Sequence, residues 1–348
     1  MGEKNNMATK IYRIPEEKLH KKRYGKYTMT DIIVKGRYSH ISHSGIFYHY
    51  TSPDGLKGIL KNRYLFFTDC QFLNDHNERL QINCELDIFW RNNKKYYDKS
   101  FVTLLKDIRV SNYEDGEYSY MESDLPYGMK SQLNRYFVFS TSSNEDSLSL
   151  WKYYAKDNKY NGYCIGLLTD ALSDEWIDRD TGVAIEAGSV IYTSKEKQYV
   201  IRKTVEELYD SWCKYKISDK FNQKIARDFQ SWVSITALFF KDECFKDEEE
   251  YRFVAIAPSN NLKSLSFDYN GYVEKMYDFR VVDGVLVPYL KMPFNFWNTD
   301  ECWPIFSIGI SPSLNYEQKK LGLEHYIKSL DYELPNFHIY TSKIPLRY

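Results

Sequence analysis

Short runs rich in β-branched and aromatic residues recur between helical stretches from Gly45 to the end of the chain, at irregular spacing. These runs predict strands at 46–51, 64–69, 135–142, 162–168, 250–257, 284–290, 304–311 and 336–342, and another strand that ends before Thr193. Thr193 and Glu196 are in capping-box register there. Because strands and helices do not alternate with regular β-α-β spacing, the sequence predicts an α+β domain. Its sheet is expected to be mixed and split, with flanking helices.

The segment Gly45–Asp69 contains a strand–helix–strand unit. Ser52 is placed to cap the helix and Pro53 to occupy its first position, with Leu56, Ile59 and Leu60 on one face. Strand alternation puts Tyr48 and Tyr50 on one face of the first strand and His49 and Thr51 on the other. The unit therefore predicts a buried strand with two polar side chains beside a helix start.

The 348 residues suffice for one large domain. We interpret the polar residues 1–44 as an N-terminal extension; their basic cluster, Lys18–Lys26, leaves a nucleic-acid-binding arm as an alternative. Residues 45–348 are predicted to form a single domain with a long helical insertion at about 194–240. Two apolar stripes of the insertion, at helical spacing, could cover the domain's own sheet or form a homodimer interface.

Charge and cysteine usage exclude several classes of protein. The formal net charge is −1, which gives no electrostatic case for binding nucleic acid or an anionic membrane. The six cysteines form no C-x-x-C pair, which argues against zinc, and no signal peptide is recognisable. No apolar run approaches the roughly 20 residues that span a bilayer. We therefore expect a soluble, cytoplasmic protein.

Polar residues at the ends of two predicted strands could bind a ligand, although each also has a structural explanation. His49 and Thr51 precede a helix N-terminus, which attracts anions; a lone strand histidine is otherwise a core residue bonded to the backbone. The segment Phe72–Glu78 contains Asn74, Asp75 and His76, and Asx-rich segments commonly build turns. Both segments stay open to either interpretation.

Two further polar segments are candidates. Residues 140–142 end a strand, with Trp151 and Tyr154 on the next helix, and could alternatively cap that helix. Glu248 and Glu250 lie two apart where a strand begins, so they are predicted to point the same way, with Arg252 next in that register. Converging carboxylates raise each other's pKa, a cost that a functional site tolerates. The alternative is a solvated acidic loop.

Common catalytic motifs are absent from the sequence. It has no Walker loop, G-x-G-x-x-G, G-x-S-x-G, H-E-x-x-H or zinc-deaminase signature. This weakens the kinase, dehydrogenase, hydrolase and metalloprotease interpretations.

Taken together, several segments resemble a prokaryotic family known as domain of unknown function 2971. The likeness spans roughly residues 46–348 and rests on "YHYTSPDGLKGILKNRYLFFTDCQFLND", "FVFSTSSNEDSLSLWKYYAKDNKYNGYCIGL", "FFKDECFKDEEEYRFV", "GVLVPYL", "IFSIGISPSLN" and "YTSKIPLRY". The chain departs from the family pattern at Phe245, where a tryptophan is expected, and at Ile310–Pro312, where the family has Gly-Pro.

A looser resemblance links the chain to ADP-ribosyltransferases, in which NAD binds between two half-sheets. A His-x-Thr strand, a short helix, a second strand and a late Glu-x-Glu follow the same order here. The resemblance implies that His49 holds the NAD ribose with support from Thr51, and that Glu250 is catalytic with Glu248 as its partner. Tyr50 or Trp151 would stack on nicotinamide, and no metal is expected.

The resemblance implies a wider set of NAD-binding residues, which are His49, Tyr50, Thr51, Asn74, Ser140, Trp151, Tyr154 and Arg252. The middle residue of the implied catalytic triad stays open among Tyr136, Ser140, Trp151 and Tyr154.

These observations lead to one preferred hypothesis and two alternatives. The preferred one is an NAD-dependent transferase that passes ADP-ribose to an unknown acceptor, which could be protein, nucleic acid, a small molecule or water. By analogy with such folds, a role as a toxin or anti-phage defence effector is consistent with this hypothesis. The first alternative is a non-catalytic nucleotide or nucleic-acid binding module, supported by the 32 tyrosines and the basic segment. The second is a metal-dependent nuclease using Asp75, Glu78 or the acids 247–250.

Overall fold

A computed structural model describes most of the chain beyond the predicted extension. The described residues are 45–73, 78–110, 134–154, 161–169, 172, 183–215, 219–269, 272–294, 304–313, 315–330 and 338–345. The predicted extension 1–44, including its basic cluster, lies outside them.

The predicted strands and helices occur in the expected order, and the structure adds three strands that the sequence did not predict, at 266–269, 272–275 and 277–282. The strands are β1 (Ile46–Thr51), β2 (Tyr64–Asp69), β3 (Asn134–Ser142), β4 (Tyr163–Leu168), β5 (Ala184–Ser189), β6 (Glu250–Pro258), β7 (Ser266–Tyr269), β8 (Tyr272–Lys275), β9 (Tyr277–Val282), β10 (Val285–Pro293), β11 (Ile305–Ile310) and β12 (His338–Thr341). The helices are α1 (Pro53–Asn62), α2 (Gln81–Asn93), α3 (Lys99–Leu105), α4 (Leu148–Tyr154), α5 (Ser194–Tyr215), α6 (Asp219–Thr236) and α7 (Tyr316–Lys328). Short 3₁₀ segments include Glu78–Leu80, Ala237–Phe239 and Glu243–Glu248. None of these helices is long and apolar enough to cross a membrane.

Ten of the strands form one mixed sheet, which confirms the predicted α+β class. The strand order is β12-β11-β4-β1-β3-β2-β10-β9, β6 pairs with the second edge of β3, and β5 pairs with β6. The pairings are antiparallel apart from the parallel pair β11–β12. β7 and β8 form a separate two-stranded sheet. The helices and strands are intermixed along the chain rather than arranged as β-α-β repeats.

The large sheet divides where β1 and β2 meet the same edge of β3. β2 pairs with β3 at Val138 and Phe137, and β1 pairs with it at Ser142, while β6 pairs along the whole opposite edge. In the described structure, residues 139–141 therefore have no strand partner on the β1/β2 side. β1 and β2 diverge from this point, and α1 connects them.

The sheet core and α1 follow from local sequence. Ser52 accepts a hydrogen bond from the Gly55 N–H at 3.1 Å, and Pro53 begins α1, as predicted. Leu56 and Leu60 are buried against the sheet core. Arg63 ends α1 in the left-handed conformation, with a φ of 58°.

The helical insertion packs differently from either prediction made for it. Its two apolar stripes meet each other and also contact α2 and α3, forming a second hydrophobic core. The side chains of this core include Val205, Leu208, Phe229, Trp232, Phe89 and Phe101, all buried. The last residues of the insertion, Leu238 and Phe239, do pack on the sheet beside Val138 and Val254. The expectation that the stripes cover the sheet or form a dimer interface is thus wrong for most of their length, because helices earlier in the chain supply the apolar surface that buries them.

The junction between β5 and α5 was predicted in part. β5 ends at Ser189 rather than immediately before Thr193, because Ile191 forms an isolated bridge with Phe240 instead of continuing the ladder. The predicted capping register is confirmed, since the Glu196 N–H donates to the Thr193 hydroxyl at 3.3 Å.

Candidate active site

A cleft of about 460 Å³ opens at the split between β1 and β2. The predicted site residues that line it are His49, Tyr50, Thr51, Ser140, Tyr154, Glu248 and Glu250. Trp151 and Arg252 lie outside the lining, and Asn74 lies outside the described residues. The split brings side chains from both faces of the sheet into one cavity, since the adjacent residues Phe139 and Ser140 both line it.

His49 lies directly at the split. Its ring tilts on Phe139 with the ring centroids 4.5 Å apart, and its Nδ1 lies 3.0 Å from the Ser140 carbonyl oxygen. A carbonyl oxygen only accepts hydrogen bonds, so Nδ1–H of the neutral ring must be the donor. Nε2 then carries the lone pair and can accept a hydrogen bond from a ligand hydroxyl.

The environment keeps His49 uncharged at neutral pH. Burial is the main cause that lowers the pKa of its imidazole to about 4; the nearby positive charge of Arg280 acts in the same direction, and the bond to Ser140 acts in the opposite one. The ring therefore acts as a neutral hydrogen-bonding group.

Thr51 is held at the start of α1. A Cβ on Gly55 would lie 2.1 Å from the Thr51 hydroxyl oxygen, so only glycine lets the first turn of the helix approach this side chain. Ser52 and Gly55 also line the cleft. The strand end and the helix start therefore lie side by side on this wall, and their role as a nucleotide cradle stays a prediction.

Glu248 and Glu250 converge on one cation, Lys241. The Lys241 Nζ lies 2.6 Å from the Glu248 carboxylate and 3.1 Å from that of Glu250. The two glutamates meet because Glu249, between them, adopts the left-handed conformation with a φ of 43° and turns the chain. Strand alternation, the basis of the prediction, does not apply, because only Glu250 belongs to β6.

Glu250 belongs to a buried ionic cluster. Arg252 binds its carboxylate through Nε at 2.7 Å and Nη2 at 2.8 Å, and also pairs with Glu78. Burial tends to raise the pKa of Glu250, but Arg252 and Lys241, with a hydrogen bond from Ser140, hold it at about 2. Burial raises the pKa of Glu78 despite its ion pair with Arg252. The cluster places three carboxylates around two cations, an excess of one negative charge when all are ionised.

The β3–β6 ladder explains how Ser140 reaches this cluster. Ser140 lies opposite Arg252, and Ser142 lies opposite Glu250. Directly paired residues share a face of the sheet, so the serines and the charged residues lie together. Of the four candidates for the middle residue of the implied catalytic triad, Ser140 and Tyr154 line the cleft, whereas Tyr136 and Trp151 do not.

The aromatic residues proposed to stack on nicotinamide are largely occupied by packing. Trp151 is fully buried, and its Nε1 donates to Asp146 at 2.8 Å. Tyr50 packs edge-on against Trp151, and its hydroxyl donates to the Asn144 carbonyl. Among the aromatic residues of the wider predicted NAD-binding set, Tyr154, which is 39% exposed, is the most open to a ligand.

Three residues important to the geometry were not singled out from the sequence. Lys241 joins the two glutamates, Tyr192 accepts a hydrogen bond from the Glu250 N–H at 2.9 Å, and Arg280 lines the opposite wall. Lys241 lies in the quoted segment "FFKDECFKDEEEYRFV", so that segment carried a signal for it. Arg280 lies more than 200 residues from its hydrogen-bond partner Thr68, and nothing local marks it.

Metal-binding geometry is absent from the described residues. No group of three His, Cys, Asp or Glu side chains in them is placed to hold a metal ion. Of the residues considered for a nuclease, Glu78 pairs with Arg252, and Asp75 lies outside the described residues.

One comparison with known proteins gives a match. Residues 150–253, under a third of the chain, match the family described as "Protein of unknown function (DUF2971)". The matched region includes Lys241, Glu248, Glu250 and Arg252, and it leaves out His49. It supports the central part of the likeness predicted for residues 46–348. No curated protein matches the chain, and no solved structure matches it.

Proposed function

We propose that the chain cleaves the nicotinamide–ribose bond of NAD and transfers ADP-ribose, in the manner of an ADP-ribosyltransferase. One observation carries the proposal: a neutral histidine, His49, and two carboxylates, Glu248 and Glu250, line one cleft at a split in the sheet. The carboxylates lie in a cluster with an excess of negative charge. A cationic sugar intermediate and the positively charged nicotinamide ring are suited to such a site.

The chemistry assigns distinct tasks to these residues. The bond between the ribose anomeric carbon and the nicotinamide nitrogen breaks, and its electron pair neutralises the pyridinium ring. The positive charge that develops on the ribose is stabilised by the carboxylates, as in glycoside hydrolysis. His49 Nε2 accepts a hydrogen bond from a ribose hydroxyl and fixes the sugar. An acceptor hydroxyl, amine or water then bonds to the anomeric carbon and loses a proton to solvent or a base.

The two carboxylates differ in accessibility. The Glu250 side chain is 7% exposed and its oxygens are bonded to Arg252 and Lys241, whereas the Glu248 side chain is 18% exposed. In the proposal, Glu250 provides a fixed negative charge and Glu248 is the carboxylate nearer to solvent. With a pKa held at about 2, Glu250 is ionised throughout the neutral range and acts as an anion rather than as a proton donor.

The first test measures nicotinamide release from NAD by the unmodified protein and by Glu250→Gln. We expect the substitution to lower the rate about 100-fold or more, because it removes charge stabilisation from the transition state. The matched control is Asp247→Asn, which makes the same chemical change at an exposed position in the same acidic run and should keep the normal rate.

Thermal unfolding checks that each variant is folded, and a second variant tests the other carboxylate. Glu248→Gln alters the more exposed carboxylate and is expected to lower the rate with less effect on stability. Normal release from a folded Glu250→Gln protein would contradict the proposal. So would the absence of both release and NAD binding in the unmodified protein.

A non-catalytic binding module is the second candidate, and one observation favours it. Arg252 already binds the Glu250 carboxylate through two nitrogen atoms, which suits a structural ion pair. This candidate predicts nucleotide affinity that survives Glu250→Gln, with no product formed at any time. The rate measurement and a binding titration on the same proteins separate the two functions.

A further inference from the structure

Arg280 on β9 is a cation of the cleft without an acidic partner. Its Nη2 donates to the Thr68 hydroxyl at 2.8 Å, while its Nε is buried and lacks a hydrogen-bond partner among the described residues. No carboxylate of the described chain forms an ion pair with it. Arg280 is also the one arginine or lysine among the described residues that line the cleft.

Lys197 is also buried and bonds neutral oxygens, but several other partly or fully buried cations of the described chain pair with carboxylates. Examples are Lys241 with Glu248 and Glu250, Arg252 with Glu78 and Glu250, Arg135 with Asp69, and Lys291 with Glu274 and Asp278. A cation removed from water without a counter-charge is destabilised, and burial lowers the pKa of Arg280 accordingly. An anionic group bound in the cleft would relieve this cost.

The side chains next to Arg280 form an aromatic wall. Its guanidinium carbon lies 5.7 Å from the centre of the Phe66 ring and 5.9 Å from that of Tyr289. Phe66 also stacks on Tyr64, with 5.5 Å between the ring centroids, and both rings line the cleft. Aromatic faces beside an arginine are the combination that binds a nucleobase and its phosphate.

The pairing of β2, β10 and β9 sets this wall beside the site. Thr68 lies opposite Val138, so its side chain shares a face with Val138 and with Ser140, two residues further along β3. The positive charge of Arg280 also reaches His49, whose pKa it lowers. The aromatic wall and the His49–Glu250 region are thus two ends of one cavity.

We propose that Arg280 binds a phosphate group of a nucleotide ligand and that the Tyr64–Phe66 wall takes the nucleobase. This deepens the proposed function and rests on it for the direction of NAD in the cleft: the adenosine diphosphate half lies along β2 and β9, and the nicotinamide ribose lies at His49. The phosphate subsite itself depends only on Arg280 and its surroundings.

The test is calorimetric binding of ADP to the unmodified protein, Arg280→Gln and Arg280→Lys. ADP affinity is expected to fall at least tenfold in Arg280→Gln and less in Arg280→Lys, which keeps the charge but loses the planar fork. Lys275→Gln removes the same charge from an exposed position outside the cleft lining and should bind ADP normally. Raising the salt concentration should weaken ADP binding to the unmodified protein more than to Arg280→Gln.

A second ligand, which lacks phosphate, tests whether Arg280 acts on the phosphate alone. Nicotinamide riboside has the base and sugar of NAD's other half but no phosphate, so its affinity should be unchanged by Arg280→Gln. The proposal is overturned if folded Arg280→Gln binds ADP normally, if it loses affinity for both probes equally, or if the unmodified protein binds no ADP at millimolar concentration.

The outcomes also separate this proposal from the proposed function. ADP binding that depends on Arg280, without any cleavage of NAD, would leave the phosphate subsite standing and remove the enzymatic assignment. Cleavage that depends on Glu250, with normal ADP binding and an unchanged KM for NAD in Arg280→Gln, would support the enzymatic assignment and remove the phosphate subsite.

Discussion

His49 shows how one residue obtains its state from its surroundings. Its ring is partly buried on Phe139 and hydrogen-bonded to the Ser140 carbonyl, which fixes the neutral tautomer with Nε2 free to accept. Its folded pKa of about 4 lies below the ordinary value of 6.5, so the unfolded chain binds a proton more readily at intermediate pH.

This difference in pKa predicts that His49 makes the folded protein less stable in acid. The contribution of the neutral ring should be complete above pH 6.5 and should be lost as pH falls towards 4, by about 3 kcal/mol in the free energy of unfolding. Urea unfolding between pH 4.5 and 7 measures it, and His49→Gln should remove this part of the pH dependence. Other titrating groups contribute to both proteins, so the difference isolates His49. A His49 pKa near 6.5 by NMR would contradict the prediction.

At the scale of single elements, helix starts and turns set the positions of side chains. Thr193 begins α5, the 22-residue helix of the insertion, by accepting a hydrogen bond from the Glu196 N–H. The left-handed turn at Glu249 plays a comparable part before β6, because it aims Glu248 and Glu250 at the same lysine.

Removing the helix cap should lower stability modestly. Thr193→Ala leaves a helix-terminal N–H without its acceptor and should cost about 1 kcal/mol in the free energy of unfolding, whereas Thr193→Ser should cost much less. Chemical denaturation of both variants checks this. Equal stabilities of the alanine and serine variants would show that the cap contributes little.

Across the whole molecule, the sheet core and the helical core are separate clusters. The ionic cluster of Arg252, Glu250, Lys241 and Glu78 joins residues of β6 to residues of the helical segments. Arg252 also donates to the Leu238 carbonyl at 2.6 Å, which ties β6 to the end of the insertion. The cleft residue Glu250 is therefore linked to the packing of the helical layer.

Removing Arg252 from this ionic cluster should destabilise the fold in a pH-dependent way. Arg252→Met leaves two carboxylates buried without their main partner and should cost about 3–5 kcal/mol at pH 7. Without the arginine, the folded pKa of Glu250 should rise above its unfolded value and the raised pKa of Glu78 should rise further, so the loss should be smaller at pH 5 than at pH 7. Urea unfolding at both values tests the sign.

A double variant provides the control. Adding Glu78→Gln to Arg252→Met removes one uncompensated charge and should restore part of the lost stability. Strictly additive losses would show that the two side chains do not interact, contrary to the ion pair in the structure.

The sequence by itself determined the local structure of this protein. Hydrophobic periodicity predicted β1, α1, β2, β3 and the two long helices, and the capping residues Ser52 and Thr193 were correctly identified. Periodicity also placed Tyr48 and Tyr50 on the face opposite His49, as the separate core around Trp151 confirms. These features depend on residues within one or two turns of each other, so a local pattern contains them.

Tertiary structure decided which of these elements meet. The split at residues 139–141, the burial of the insertion by α2 and α3, and the position of Arg280 facing the same cleft as His49 join residues far apart in the chain. Burial then decides the chemistry: Trp151, predicted to contact a ligand, is a core residue, and Glu250 is ionised because Arg252 and Lys241 surround it. Pairing between distant strands and the desolvation of charged groups are properties of the assembled fold, which no local periodicity encodes.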